Sequence, residues 1–181
     1  SYKLFNRTEC RIGKTGADYL KQILTPDSVL GVTWGKTLHS VITQMTDVIH
    51  NPISAIQLAG CLKLPNPSAE SRELVRAVAA AYYGSYYYLD APLYLQSADL
   101  KQQLIKEPLL QDTLKETENM SAVITGIGSK SSLPITNPIF SPYISDRDYK
   151  QLDHCLGSIY GYILDKHGQI ADIDLNQKVV A

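Results

Sequence analysis

Gly31-Val32-Thr33-Trp34-Gly35-Lys36-Thr37 is the stretch of this chain whose residue types and spacing could do chemistry. Thr33 and Thr37 carry hydroxyls that can donate to phosphate oxygens. Gly31 and Gly35 let the backbone come close to a ligand. The chemistry this predicts is anion binding. Two further stretches of similar character follow, Gln57-Leu58-Ala59-Gly60 and Gly126-Ile127-Gly128-Ser129. The spacing of the first run is neither that of the P-loop nor that of the dinucleotide fingerprint. By itself it reads equally well as an ordinary strand-to-helix turn.

Positioning these residues requires a strand before each group and a helix after the first. Residues 28–32 are a short apolar run and predict a buried strand. Leu38, Val41, Ile42, Met45, Val48 and Ile49 recur at helical spacing and predict a helix over 36–50. Asn51-Pro52 ends it. Residues 53–58 predict the next strand, completing a βαβ unit with parallel pairing. Helix N-termini at such junctions present free N–H groups and positive dipole character to an anion.

Farther on, helices are expected over 68–83 with Ser68 as N-cap, from Ser97 to 106, from Pro108 to 118, and over 146–152. A short helix over 16–24 precedes the first strand, with Ala17, Leu20, Ile23 and Leu24 on one face. Residues 86–95 read as extended, with Pro92 demoting the run to an edge or a break. Residues 121–125 predict a buried strand. Residues 130–143 read as a loop. Asp165-Lys166-His167-Gly168 reads as a hairpin turn between 159–164 and 169–173, with Asp172 and Asp174 facing solvent by alternation. The three small or polar strand ends would then share one sheet edge, where α/β proteins bind small molecules.

Bulk composition excludes several function classes. The chain has 181 residues, 44% hydrophobic and 19% charged, with a net charge of −1, so it can build one domain with a real core. Without a basic excess it is a poor candidate for binding a nucleic-acid backbone by itself. No apolar run approaches the length of a membrane span. Cys10, Cys61 and Cys155 form no CxxC pair and read as reduced, mostly buried thiols of a cytoplasmic protein. The start at a serine and the end in an apolar run predict a piece of a longer protein.

Twelve tyrosines stand against two phenylalanines, and five fall in Tyr82-Tyr83-Gly84-Ser85-Tyr86-Tyr87-Tyr88. With no basic residues interleaved, the cluster reads as a half-buried strand or an interface rather than a stacking platform for bases.

Catalytic signatures do not appear. There is no HExxH, GxSxG, Walker A or kinase pattern. His39, His50, His154 and His167 lack metal-ligand spacing, so neither a metal nor a cofactor is called for. Asp146-Arg147-Asp148 reads as a solvated helix start, with Arg147 able to clamp a phosphate if its loop folds over the strand ends.

In order along the chain stand Arg11-Ile12-Gly13, the 30–38 loop, Gln57-Leu58-Ala59-Gly60, Leu89-Asp90-Ala91-Pro92-Leu93, Thr125-Gly126-Ile127-Gly128-Ser129 and Gly157-Ser158-Ile159-Tyr160-Gly161, running to Asp165-Lys166-His167-Gly168. Together these motifs resemble the effector-binding domain of SorC/DeoR-type bacterial transcriptional regulators, over nearly the whole chain. The resemblance implies an α/β fold with a Rossmann-like, mostly parallel sheet flanked by helices, related to phosphosugar isomerases and deaminases. It implies one effector domain over 1–181, lacking a helix-turn-helix and the C-terminal part of the domain. It implies a phosphorylated sugar as effector, a homodimer or homotetramer, and operator DNA bound only through a helix-turn-helix outside this sequence.

By carry-over, Gly31, Thr33, Trp34, Gly35, Lys36 and Thr37 would hold the phosphate, and Gln57, Gly60, Gly126, Gly128 and Ser129 would line the rest. Ser158 stands where such domains usually carry a carboxylate after glycine. A phosphosugar isomerase or deaminase, and a degenerate oligomerisation domain, are the alternative readings.

Overall fold

The computed structural model describes residues 2–45, 52–133 and 138–181. Its centre is a four-stranded, all-parallel sheet in the order β3-β2-β1-β4, formed by β1 (Val29–Val32), β2 (Ser54–Gln57), β3 (Tyr86–Tyr87) and β4 (Ala122–Ile124). Leu30 pairs with Ala55 on one side and Ala122 on the other, so β1 is interior to the sheet. All four β1 residues are buried, as expected of an apolar run in a parallel sheet covered on both faces.

The helices around the sheet are α1 (Tyr2–Ile23), α2 (Lys36–Ile42), α3 (Ser71–Tyr82), α4 (Ala98–Leu104) and α5 (Pro108–Glu116). The expected helix at 16–24 is the tail of the much longer α1. Ala17, Leu20 and Leu24 are buried as expected, but Ile23 is exposed. Close approach of α1 to α2 runs along Gly13 and Gly16, which face Ser40 and Val41.

Helix α2 stops at Ile42 rather than at 50: Thr43 closes it, its hydroxyl donating to the His39 carbonyl at 2.8 Å. Leu38, Val41, Ile42 and Met45 join the core, while Val48, Ile49 and His50 lie outside the described residues. Ser68 does not cap α3. It sits in a 3-10 turn, Pro67–Ala69, capped by the Asn66 side chain. Ser97 does cap α4, accepting from the Leu100 N–H.

A smaller antiparallel sheet, β5 (Gly128–Ser129), β6 (Cys155–Ile159) and β7 (Tyr162–Asp165), packs with α6 (Asp146–Leu152) and α7 (Asp174–Gln177) around its own core of Leu133, Leu152, Ile163, Ile173 and Leu175. The expected turn at Asp165-Lys166-His167-Gly168 closes a hairpin, with the Asp165 N–H donating to the Gln169 carbonyl at 2.8 Å, and a tighter one precedes it at Tyr160-Gly161. Both residues have positive φ, 53° and 89°, the primed-turn geometry that matches strand twist. The 165–168 turn follows it and returns the chain through a single Leu164–Ile170 bridge.

Four local expectations change for one reason: tertiary neighbours decide burial. Strand β4 is an edge, so Val123 is 41% exposed instead of buried. Asp148 is completely buried, not solvated. Its carboxylate accepts from the Ser145 N–H at 3.0 Å and the Asp174 N–H at 2.8 Å, and the Ser145 hydroxyl returns the capping bond. Asp174 opens α7 and accepts from the Ser145 hydroxyl rather than alternating along a strand. Only Cys155 of the three thiols is buried; Cys10 and Cys61 are exposed.

Candidate effector site at the parallel-sheet edge

The end of β1, the start of α2, the segment after β4 and the Tyr160-Gly161 hairpin converge on a cavity of about 250 Å³. Two more concavities flank β4, one of about 670 Å³ against α1 and one of about 310 Å³ reaching Gln57. The smallest of the three is the candidate site because it gathers the ends of β1 and β4 at the start of α2, which no side chain caps.

Its first wall is Thr33 with residues 35–38. Gly35 adopts φ 133° and ψ 160°, a region essentially restricted to glycine. An added Cβ would meet open space, so conformation rather than crowding demands glycine here. No side chain caps α2. The N–H groups of its first turn, Lys36, Thr37 and Leu38, have no helical acceptor behind them. Lys36 is the one charged residue among the described lining, and Thr37 is exposed beside it.

The Thr33 hydroxyl serves a different purpose from the one its sequence position suggests. It donates to the Thr125 hydroxyl at 3.1 Å, tying the end of β1 to the end of β4. Its single proton is therefore spent inside the protein, and Thr37 is the hydroxyl left to donate outward.

The opposite wall is apolar and aromatic: Trp34, Leu62, Leu93, Tyr94 and Phe140. Tyr94 and Phe140 meet edge-on with centroids 5.3 Å apart, a favourable quadrupole arrangement. The Tyr94 hydroxyl donates to the Gly161 carbonyl at 2.6 Å. Burial pushes its pKa far above the usual tyrosine range, so it remains a neutral donor. That bond anchors the hairpin that forms the roof with Ser158, Ile159 and Tyr160. Tyr94→Phe leaves the Gly161 carbonyl without this donor. A stability loss of about 1–2 kcal/mol is expected, measured as a lower urea midpoint with an unchanged slope.

Of the residues singled out in the sequence, Thr33, Trp34, Gly35, Lys36, Thr37, Gly126, Gly128 and Ser158 line this cavity. Five others stand elsewhere. Gly31 packs inside the sheet against Leu58 and Met120. Gln57 is buried, its amide donating to the Ala59 carbonyl at 2.8 Å, and it borders the neighbouring 310 Å³ concavity. Gly60 abuts the Pro92 backbone. Ser129 hydrogen-bonds Ser131. Arg147 reaches toward Asp174, 3.6 Å away, instead of folding over the strand ends. Trp34 of the aromatic wall and Ser158 of the hairpin roof were singled out in the sequence, whereas Leu62, Leu93, Tyr94 and Phe140 were not. The Tyr160-Gly161 dipeptide between apolar strand residues was the available signal for the hairpin.

Residues 3–181 match the family described as "Putative sugar-binding domain". The chain is 25% identical over 173 residues to the Escherichia coli transcriptional regulator YjhU, covering 94% of this chain and 52% of that protein. It is 19% identical over 170 residues to the deoxyribonucleoside regulator of Bacillus subtilis, covering 93% and 54%. The full-length sorbitol operon regulator SorC of Klebsiella pneumoniae superposes with a TM-score of 0.81 at 18% identity, covering 96% of this chain and 56% of that one. The chain thus spans about half the length of the curated relatives it matches. The likeness to SorC is one of fold, and with a family match from residue 3 to residue 181 this chain belongs to the family described as "Putative sugar-binding domain".

Proposed function

We propose that this chain is the ligand-sensing domain of a transcriptional regulator of carbohydrate metabolism, and that its effector is a phosphorylated sugar held in the 250 Å³ cavity. The observation that carries the reading is the division of that cavity into an anion-facing wall, with Lys36, Thr37 and the uncapped start of α2, and an aromatic wall, with Trp34 and Phe140. Phosphate suits the first and the C–H face of a sugar ring suits the second. Among the described lining residues there is no Asp, Glu or His. Isomerase or deaminase chemistry requires a positioned acid or base, so the lining favours sensing over catalysis.

In the full-length protein, operator DNA is contacted through a helix-turn-helix outside this sequence, and the effector domain assembles as a homo-oligomer in the cytoplasm. Effector binding then favours one quaternary arrangement over another by its differential affinity for the two. No described helix is long and apolar enough to cross a membrane.

The test is thermal unfolding of the chain against sugar phosphates, their unphosphorylated parents and inorganic phosphate. Binding to the native state raises the midpoint. Thr37→Ala removes the outward donor and is expected to weaken the bound phosphosugar by about tenfold with the ligand-free midpoint unchanged. Thr33→Ala cuts the Thr33–Thr125 tie, lowering stability by about 1 kcal/mol and binding with it. Unchanged affinity in both variants would remove the phosphate loop from the site.

A further inference from the structure

Helix α5, strand β4 and the Tyr160-Gly161 hairpin border the cavity of about 310 Å³ that the effector site does not use. Its most deeply buried lining residues are Gln57, Leu89 and Thr113. Gln57 closes β2 and is 1% exposed. Its Nε2 donates to the Ala59 carbonyl at 2.8 Å and to the Cys61 sulfur at 3.7 Å. Those bonds fix which way the amide faces. Its Oε1 is buried and accepts from no described group. A buried acceptor without a donor is costly, and native proteins rarely carry one without a reason. An apolar side chain would have served the sheet better at this position.

We propose that this cavity is a second ligand site, which takes a small uncharged molecule with an apolar ring body and one hydroxyl or N–H group that donates to Gln57 Oε1. The site goes beyond the effector reading and does not rest on it. Tyr160 alone among the described residues borders both cavities. Three properties of the lining select this chemistry.

First, the described lining holds no Asp, Glu, Lys, Arg or His side chain. Burial raises the pKa of Tyr160 and Tyr162, so both phenols stay neutral. A charged occupant would give up its hydration and find no partner. Second, the donor that Gln57 lacks has to come from the occupant. The Thr113 and Thr117 hydroxyls already donate to the Tyr88 and Leu114 carbonyls. Neither tyrosine hydroxyl reaches Oε1. Third, the remaining surface is apolar and soft. Leu58, Leu114 and Met120 join the two tyrosine rings, and rings with a thioether pack well against a flat apolar body. A few polar groups in a mostly apolar concavity of this size are the usual make-up of a small-molecule site.

Calorimetric titration of the whole chain with indole and with benzofuran tests this. The two probes share a shape, but only indole carries an N–H. Indole is expected to bind about tenfold more tightly, the worth of one hydrogen bond to a buried acceptor. Gln57→Met keeps the length of the side chain without its polar atoms. In that variant the preference for indole should fall to about twofold or less, with benzofuran affinity retained. Val123→Trp covers the case in which Gln57→Met does not fold. Val123 borders the cavity from an exposed edge strand, so the larger ring should fill the site and abolish binding of both probes while the ligand-free urea midpoint stays at the wild-type value. A chain that binds neither probe at about 1 mM overturns the proposal. Equal affinities in the wild type also overturn it, because water would then be the partner of Gln57. So does binding that survives Val123→Trp, which would put the probes elsewhere. Neither probe carries an anion, so failure here leaves the phosphosugar reading of the other cavity as it stands.

Discussion

Asn176→Ala is expected to destabilise the chain by about 3 kcal/mol and to abolish the ligand-induced thermal shift. Asn176 is buried on α7 and makes three hydrogen bonds with the backbone. Its Oδ1 accepts from the Ile163 N–H at 2.8 Å, and its Nδ2 donates to the Ile163 and Ala171 carbonyls at 3.0 and 2.7 Å. The two carbonyls keep other donors, since Ala171 N–H also reaches Ile163 and Ile173 N–H also reaches Ala171. The Ile163 N–H has no such replacement. The variant therefore loses two shared bonds at about 1 kcal/mol each and orphans one buried donor at roughly 1–3 kcal/mol.

For a chain of this length that is a drop of roughly 6–12 °C in the midpoint. The functional consequence follows from the connection between Ile163 and the site. Ile163 lies on β7, one residue past the start of the strand that leaves the Tyr160-Gly161 hairpin, which roofs the cavity. Thermal melting with and without a bound phosphosugar measures both effects. A midpoint within 2 °C of wild type would show that the amide contributes nothing to the roof.

Gly84→Ala is expected to be of similar or larger size, on the order of 4 kcal/mol, for a purely steric reason. Gly84 links α3 to β3, its N–H donating to the Ala79 carbonyl at 3.0 Å, while the next residue accepts from Ala55 across to β2. A Cβ here would fall within the van der Waals envelope of the Ile53 carbonyl oxygen. Neither partner is a flexible side-chain end, so β3 must separate from β2. Urea unfolding should show the loss, together with weaker amide protection at Ala55. Retained stability would mean that the link can move without cost.

Gly35 provides the contrast. A methyl there meets nothing, and only its φ of 133° resists substitution, a cost of about 1–3 kcal/mol. The two glycines look alike in the sequence, yet one answers to packing and the other to local backbone conformation.

Local pattern carried the elements that local physics controls. The apolar run at 28–32 is β1, the Ser97 cap starts α4, and residues 146–152 form α6 as their spacing predicts. The glycines and threonines of the 31–37 run were visible for the same reason: strand-to-helix turns depend on residues close together in the chain. The length of α2 was overestimated because helical periodicity continues past Ile42, and nothing in that periodicity registers the Thr43 closure.

By itself, then, the sequence determined the α/β class, the parallel βαβ start, the loop that faces the cavity and the family. These follow from periodicity, turn chemistry and motif order, all of them short-range or one-dimensional. Only the tertiary structure decided which hydroxyl stays free to donate, since Thr33 is tied to Thr125 from 92 residues away. It alone assembled Leu62, Leu93, Tyr94 and Phe140 into one wall, buried Asp148 beneath α7, and left Val123 exposed at a sheet edge. Burial and partnership are properties of what lies across space from a residue, and contacts between distant segments leave no period in the chain for a local reading to detect.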